Sequence, residues 1–110
     1  MKAECKNLTI DILGQDYDLK FEKGFAKDGS ANGLIVYEDL EIYIEDSLRT
    51  EKKKEILLHE IIHGISEGLS MGLEENAVQA LARSLYSVIK QNKTIFSWMV
   101  AETTQNPQQF

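Results

Sequence analysis

Residues 57–64 read LLHEIIHG and contain the pattern H-E-x-x-H. In an α-helix, His59 and His63 project from one face, one turn apart, so their ring nitrogens can bind a single Zn²⁺ ion. Glu60 then lies beside the open coordination position, where it can accept a proton from a metal-bound water. The pattern therefore predicts a metal-binding helix that carries its own general base.

The residues around the motif favour a buried site over a pair of surface histidines. His59 and His63 are the chain's only 2 histidines, and random placement would produce this pattern in roughly one such chain in five hundred. The alternative is an amphipathic helix with solvated histidines and a solvated glutamate. Against it, the flanking positions are apolar on nearly every side: Ile56, Leu57, Leu58, Ile61, Ile62 and Ile65. Buried histidines and a buried carboxylate need partners, which a metal ion and its water supply.

Length and charge limit the classes of protein to consider. With 110 residues we expect a single domain over residues 1–100 and a polar, disordered tail over residues 101–110. The net charge of -6 argues against binding to nucleic acid or to anionic membranes. Cys5 is the only cysteine, so no disulfide is expected within the chain. Because we find no signal-peptide or membrane-spanning pattern, we expect a cytoplasmic protein.

The first part of the chain has the alternating pattern of half-buried strands. Apolar and polar side chains alternate over residues 7–13 and again over residues 17–22. Residues 14–16 lie between these segments and have the composition of a turn. The pattern therefore predicts a β-hairpin.

A second hairpin is expected before the metal-binding helix. Residues 23–33 are rich in glycine and polar side chains, which indicates an exposed loop. The runs at residues 34–37 and 40–45 then predict two strands, joined by a turn at Glu38 and Asp39. The fold class expected is α+β, with an antiparallel or mixed sheet of about four strands followed by two helices.

Beyond the second hairpin the apolar spacing changes to that of helices. Thr50 is a suitable N-cap, and Gly68 is placed to end the metal-binding helix in a left-handed conformation, so this helix should cover about residues 51–67. The apolar cluster at residues 95–100 predicts a final helical turn packed on the domain.

A second helix is expected to begin near Leu73 or Glu74. A catalytic zinc site needs a third protein ligand, and with no third histidine or well-placed cysteine a carboxylate must supply it. Glu75 falls in line with Val78 and Ala82, and Glu74 also falls in line with Val78, so periodicity does not choose between them. Both acids could equally be helix-start residues that favour the dipole.

Two segments resemble the gluzincin clan of zinc metallopeptidases, in which an H-E-x-x-H helix and a glutamate on the next helix hold the metal. They are residues 59–63 (HEIIH) and residues 73–78 (LEENAV). The small size, the two hairpins and the run ALARSLY at residues 80–86 are similar to small phage-type metallopeptidases and minigluzincins, and more distantly to the ImmA/IrrE family. The metzincin pattern is excluded, because it would require glycine at Ser66 and histidine at Leu69.

The resemblance implies a zincin-like fold and zinc-dependent hydrolysis of peptide bonds by a metalloendopeptidase. It implies one Zn²⁺ ion held by His59 and His63, with Glu60 as the general base. It also implies Glu75 as the third ligand, because the family glutamate lies about three residues before a valine on that helix. Glu74 stays open as the alternative third ligand.

Further expectations concern the substrate. Tyr86 and Tyr43 are candidates for the donor that stabilises a developing oxyanion, although tyrosines more often serve in packing. A peptide or protein substrate is expected to pair with an open sheet edge, either strand 40–45 or its partner.

The alternative function comes from another class of protein. The chain could be a catalytically silent, metal-stabilised regulatory or protein-binding module of the same fold. Structural zinc sites are usually closed by four protein ligands, whereas this site offers three and an intact base, which favours the enzyme. The motif also fits a hydrolase of non-peptide amides.

Overall fold

The computed structural model describes residues 8–26 and 31–102, and in these residues four strands are followed by three helices. The strands are β1 (Thr9–Ile12), β2 (Gln15–Glu22), β3 (Gly33–Val36) and β4 (Glu41–Glu45). The helices are α1 (Thr50–Gly68), α2 (Glu75–Gln91) and α3 (Lys93–Val100). The predicted α+β class is confirmed. The predictions for Cys5 and for residues 103–110 of the tail lie outside the described residues.

β1 and β2 form the first predicted hairpin, with antiparallel pairing that ends at Ile12 opposite Gln15. The turn lies earlier than residues 14–16, where it was expected. Its two residues are Leu13, with φ of 54°, and Gly14, with φ of 89°. A two-residue loop with positive φ at both positions matches the right-handed twist of the flanking strands, so β2 can begin directly at Gln15.

β3 and β4 form the second predicted hairpin, again antiparallel. β2 and β4 pair in parallel, so the sheet is mixed and its strand order is β1-β2-β4-β3. The expectation that strand 40–45 offers an open edge is therefore wrong, because β4 is hydrogen-bonded to β2 on one side and to β3 on the other. Its partner β3 is one of the two edge strands of the described sheet, and β1 is the other.

The larger hydrophobic core lies between the sheet and α1. Alternate strand positions supply its buried side chains: Ile12, Tyr17, Leu19, Ile42 and Ile44. Half-buried side chains of α1 pack against them: Ile56, Leu57, Ile61 and Ile65. The helix approaches the sheet closely at Gly64, where an added Cβ would lie 3.1 Å from Ile12 Cδ1. This packing holds the histidine-bearing helix at a fixed distance from β3.

A smaller core lies between α1 and α2. It contains three buried side chains, Ile62, Val78 and Ala82, with Leu58 and Leu73 packed against them. The sheet and α2 both cover α1. This helix is nevertheless less buried than its many apolar side chains predict. Its buried residues are Glu60, Ile62, Gly64 and Ser66.

The ends of α1 differ from the predicted caps. Arg49 rather than Thr50 is the N-cap, with extended backbone and no side-chain capping bond. Gly68 is the last helical residue and does not have positive φ. Positive φ occurs instead at Ser70 (53°), two residues after Gly68, and at Gly72 (67°), four residues after it.

The C-terminal apolar cluster forms a longer element than the single turn predicted. α3 has 8 residues and contains no buried side chain. Phe96 and Trp98 are half-buried, whereas Ile95, Met99 and Val100 are exposed, so the expectation of a turn packed on the domain is wrong for these three residues. Among the residues that the structure describes, no helix combines the length and apolar character needed to cross a bilayer.

Candidate metal centre

His59 and His63 lie on one face of α1, as the helical spacing predicts. Their ring centroids are 4.9 Å apart and the ring planes are inclined by 58°. The side chains are 14% and 25% exposed, respectively. Both imidazoles therefore border open space.

Glu75, the first residue of α2, meets both histidines. Its Oε2 lies 2.9 Å from His59 Nε2, and its Oε1 lies 2.9 Å from His63 Nε2. One donor atom from each of the three side chains falls within 4.8 Å of the others. The carboxylate can accept a hydrogen bond from each imidazole, and the same atoms form a donor group of two nitrogens and one carboxylate for a metal ion.

The connector between α1 and α2 positions Glu75. Ser66, buried in the last turns of α1, accepts a hydrogen bond from Leu73 N at its Oγ (3.0 Å) and another from Met71 N at its carbonyl oxygen (2.8 Å). These bonds hold the connector against the end of α1, so that α2 begins beside the histidines. This role of Ser66 was not predicted, because one serine within a helical pattern carries no distinctive signal.

The structure brings Glu75, and not Glu74, to the histidines. Glu74 is the N-cap of α2, with extended backbone (φ of -77°, ψ of 160°) and an exposed side chain. Val78, which is 0% exposed, packs into the core between the helices. Because residues three apart share a helix face, burial of Val78 turns Glu75 toward α1. Packing thus makes the choice that periodicity left open.

Glu60 is a buried carboxyl group, 5% exposed, next to His59 on α1. Within residues 8–26 and 31–102, no hydrogen bond or ion pair engages its side chain. Burial, and secondarily the charge of Glu75, raises the pKa of Glu60 to about 7. A carboxyl group with a pKa near neutrality can both take up and release a proton, as a general base that later acts as an acid must do.

Gly33, the first residue of β3, lies directly against Glu60. An added Cβ would be 2.7 Å from Glu60 Oε2 and 2.5 Å from Ile56 Cγ2, closer than real Cβ atoms approach other atoms. Sequence analysis placed Gly33 at the end of an exposed loop and gave it no role. Its importance depends on contact with a residue 27 positions later, which no local pattern reveals.

Burial lowers the pKa of His59 and outweighs the charge of Glu75, which acts to raise it. The neutral imidazole is favoured as a result. A neutral ring nitrogen has the free lone pair that coordination of a metal requires.

Two adjoining cavities open at the donor group. One has a volume of about 270 Å³ and the other about 360 Å³. Both are bordered by Gly33, His59, Glu60 and Glu75. The donor group therefore faces a cleft large enough for several atoms of a ligand, as an open coordination position requires.

The donor set fits zinc. Two imidazole nitrogens and a carboxylate oxygen are ligand types of catalytic zinc sites, in which a fourth position is left to water or substrate. Mg²⁺ and Ca²⁺ prefer shells made entirely of oxygen, so two histidines favour a transition metal. Glu75 is 63% exposed, which leaves the group accessible to an ion from solution.

The two tyrosines proposed as oxyanion donors lie away from the cleft. The Tyr43 hydroxyl donates to Glu41 Oε1 (2.8 Å) beside Lys20, and the Tyr86 hydroxyl donates to Glu51 at the start of α1. Neither tyrosine is among the residues that border the two cavities at the donor group.

Tyr37, which follows β3, borders the cleft together with the histidines. Its hydroxyl donates a hydrogen bond to the carbonyl oxygen of His63 at 3.3 Å. Sequence analysis assigned Tyr37 only to a strand. Its position next to the site results from the packing of β3 on α1, which joins residues 26 positions apart.

No protein-family model, curated protein or solved structure matches this chain. The functional conclusion therefore depends on the geometry of the site.

Proposed function

We propose that this chain is a zinc-dependent metalloendopeptidase of the gluzincin type. The observation that carries the proposal is the convergence of His59, His63 and Glu75 on one point beside the buried carboxyl group of Glu60. The donor group alone would fit many metal sites. A buried proton acceptor next to it, in a cleft open to solvent, is the addition that hydrolysis requires.

Each residue of the site has a separate task in this mechanism. When bound, zinc supplies a Lewis acid that polarises the scissile carbonyl and lowers the pKa of water toward about 7. His59, His63 and Glu75 would hold the ion. Glu60 takes a proton from the attacking water and later delivers it to the leaving amine, which its raised pKa permits.

The substrate would lie along β3. This strand is at the end of the sheet order, and Gly33, Leu34 and Ile35 line the cleft beside the histidines. An extended peptide that adds to the free edge of β3 would bring its backbone past the donor group. Leu34 is 45% exposed, so an apolar side chain of the peptide would have a partner there.

Tyr37 replaces Tyr43 and Tyr86 as the proposed oxyanion donor. Its hydroxyl is at the cleft and is held by a long hydrogen bond of 3.3 Å to His63 O, so little is lost when it turns to a substrate oxygen. Tyr37→Phe should lower kcat more than it changes KM, because the interaction is made mainly in the transition state.

Glu60→Gln tests the enzyme directly. We expect the purified wild-type protein to bind about one zinc ion and to cleave a mixture of unfolded peptides. The variant should keep its zinc and lose cleavage by at least about a hundredfold, since general acid–base catalysis contributes that much. Metal analysis and mass spectrometry of the peptides measure both quantities.

Glu75→Gln and Glu74→Gln form a matched pair for the ligand assignment. They remove the same charge from adjacent residues, and only Glu75 reaches the histidines. We expect zinc affinity to fall with Glu75→Gln and to remain with Glu74→Gln. A wild-type protein that binds no zinc would overturn the whole proposal.

A metal-stabilised binding module is the second candidate function. The observation that favours it is the position of Glu75, which links α2 to α1 through both histidines, so that an ion there would fasten the two helices together. Under this alternative the wild type and Glu60→Gln bind zinc equally and neither cleaves any peptide. A fourth protein ligand in a zinc-bound structure would also support it.

A further inference from the structure

A third cavity lies beyond Tyr37, at the C-terminal end of α1. It has a volume of about 470 Å³ and is enclosed by the first hairpin, Tyr37 and the last turns of the helix. Tyr37 borders both this cavity and the cleft that contains the histidines, so the two spaces share this residue. A chain that lies in the cleft could therefore place a side chain here.

The lining of this cavity is mixed, with more polar than apolar surface. Ile12, Leu13, Tyr17 and Tyr37 supply its apolar part, and Gln15 and Glu67 are its polar side chains. The apolar part suits the methylene stem of a long side chain, which gains by leaving water.

Leu13 is placed at this cavity against its conformational preference. Its φ of 54° belongs to the left-handed region, which glycine, asparagine and aspartate adopt more readily than leucine. The side chain is nevertheless 56% exposed, and an added Cβ on Gly68 would be 2.7 Å from Leu13 Cδ1. The strained residue therefore serves as an apolar wall at the mouth of the cavity rather than as a core residue.

Glu67 supplies the one charged group in the lining. It follows His63 by four residues and therefore projects from the same face of α1, one turn further on. It belongs to the last turn of the helix, which contains no basic residue and where the dipole disfavours a negative charge. Within the described part of the chain, no hydrogen bond or ion pair engages its side chain.

Glu67 is exposed, and it borders the same cavity as Tyr17 and Tyr37. A carboxylate beside apolar side chains is complementary to a cation carried on an apolar stem.

We propose that this cavity is a specificity pocket for a lysine or arginine side chain of the peptide substrate, with Glu67 pairing the cationic group. The stem of that side chain would lie on Leu13, Tyr17 and Tyr37. This pocket rests on the proposed function, because a peptide must lie in the cleft for one of its side chains to enter the cavity. Glu67 is a specificity-determining residue in this assignment and takes no part in the hydrolysis.

The test uses zinc-loaded Glu60→Gln protein and fluorescent peptides, so that binding is measured without cleavage. There are three sets of peptides, one each for lysine, norleucine and glutamate. In each set, that residue replaces one position of the same host sequence at a time. We expect lysine to bind about threefold more tightly than norleucine at one position, because Glu67 is exposed and exposed ion pairs are weak, and glutamate to bind most weakly there.

Two substitutions of Glu67 in this background assign the preference. With Glu67→Gln added, lysine and norleucine should bind equally. With Glu67→Lys added, glutamate should become the preferred residue at the same position. Glu22→Gln is the matched control, since it removes the same charge from an exposed residue five positions along β2 from Tyr17 and should leave the lysine preference unchanged.

The outcomes separate this inference from the proposed function. A lysine preference that depends on Glu67, in a protein whose Glu60-intact form cleaves nothing, supports the pocket and overturns the peptidase. Cleavage with no lysine preference, or with a preference that Glu67→Gln leaves in place, supports the peptidase and overturns the pocket. Failure of every peptide to bind also overturns the pocket.

Discussion

The two hydrophobic cores differ in size, and the difference shows which part of the site is held by packing alone. Between the sheet and α1, five side chains are buried, and Ile42 and Ile44 are 0% exposed. Between α1 and α2, three are buried, while Leu85 and Val88 on α2 stay 41% and 46% exposed. The histidines therefore belong to the firmly packed unit, and Glu75 belongs to the unit that is packed less firmly.

Polar contacts supplement the smaller core. Glu51 of α1 accepts hydrogen bonds from the Tyr86 hydroxyl and from Lys90 Nζ, the latter at 2.9 Å. Exposed ion pairs such as these contribute little individually, so α2 should separate from α1 at a lower free energy than the sheet unfolds. A metal ion shared by the two helices would reduce this difference.

Ile44→Ala should have the largest effect on stability. Removing this fully buried side chain should lower the free energy of unfolding by about 4 kcal/mol, because the larger core cannot collapse around the cavity. Val78→Ala, at an equally buried position of the smaller core, should lower it by about 2 kcal/mol, since fewer atoms are removed. Urea unfolding followed by circular dichroism measures both. An equal or larger loss for Val78→Ala would contradict the comparison of the two cores.

Zinc should stabilise α2 selectively. A free zinc concentration of about 100 times Kd stabilises the bound form by about 2.7 kcal/mol. We expect zinc to slow hydrogen exchange at the amides of α2, and to cause much smaller changes in β4. Glu75→Gln should remove the effect and Glu74→Gln should retain it. Equal protection of the sheet and of α2 would mean that the ion does not act on the junction between the helices.

Gly33→Ala should separate stability from catalysis at the contact between β3 and α1. The added Cβ must displace Glu60 or Ile56, at a cost of about 2 kcal/mol. Cleavage should fall further than zinc affinity does, because the displaced carboxylate is the base and not a ligand. Leu19→Val is the control, since Leu19 belongs to the same core and borders neither the cleft nor the third cavity. Unchanged cleavage by Gly33→Ala would remove Gly33 from the site.

Acid should weaken the contact of Glu51 with α2. The resulting loss of stability should be smaller than the effects of the preceding changes. Hydrogen bonds from Tyr86 and Lys90 lower the pKa of Glu51 to about 2 from an ordinary value of 4.5. Its contribution to stability is therefore complete above pH 4.5 and is lost as the pH falls toward 2. The Tm of the wild type should exceed that of Glu51→Gln at pH 7, and the difference should shrink between pH 4.5 and pH 3. A constant difference in Tm would show that the charge of Glu51 is not involved.

Local patterns were sufficient where neighbouring residues decide the outcome. Alternation along the strands predicted both hairpins, and the spacing of His59 and His63 predicted their common face, because period and pitch follow from backbone geometry. The turn at Leu13 was misplaced because leucine rarely adopts positive φ, so residues around Gly14 were the natural choice. Leu13, which has this unfavourable φ, lines the proposed specificity pocket.

Residue patterns along the chain were enough to predict the α+β class, the two hairpins and a helix that presents two histidines with a glutamate between them. The position of Glu75 rather than Glu74 beside the histidines depends on contacts between elements, namely the burial of Val78 and the hydrogen bonds of Ser66. Parallel pairing of β2 with β4, and the approach of β3 to α1, brought Gly33 and Tyr37 to the site. These contacts join residues far apart in the chain. Packing stabilises them, and a local sequence pattern does not predict which distant residues pack together.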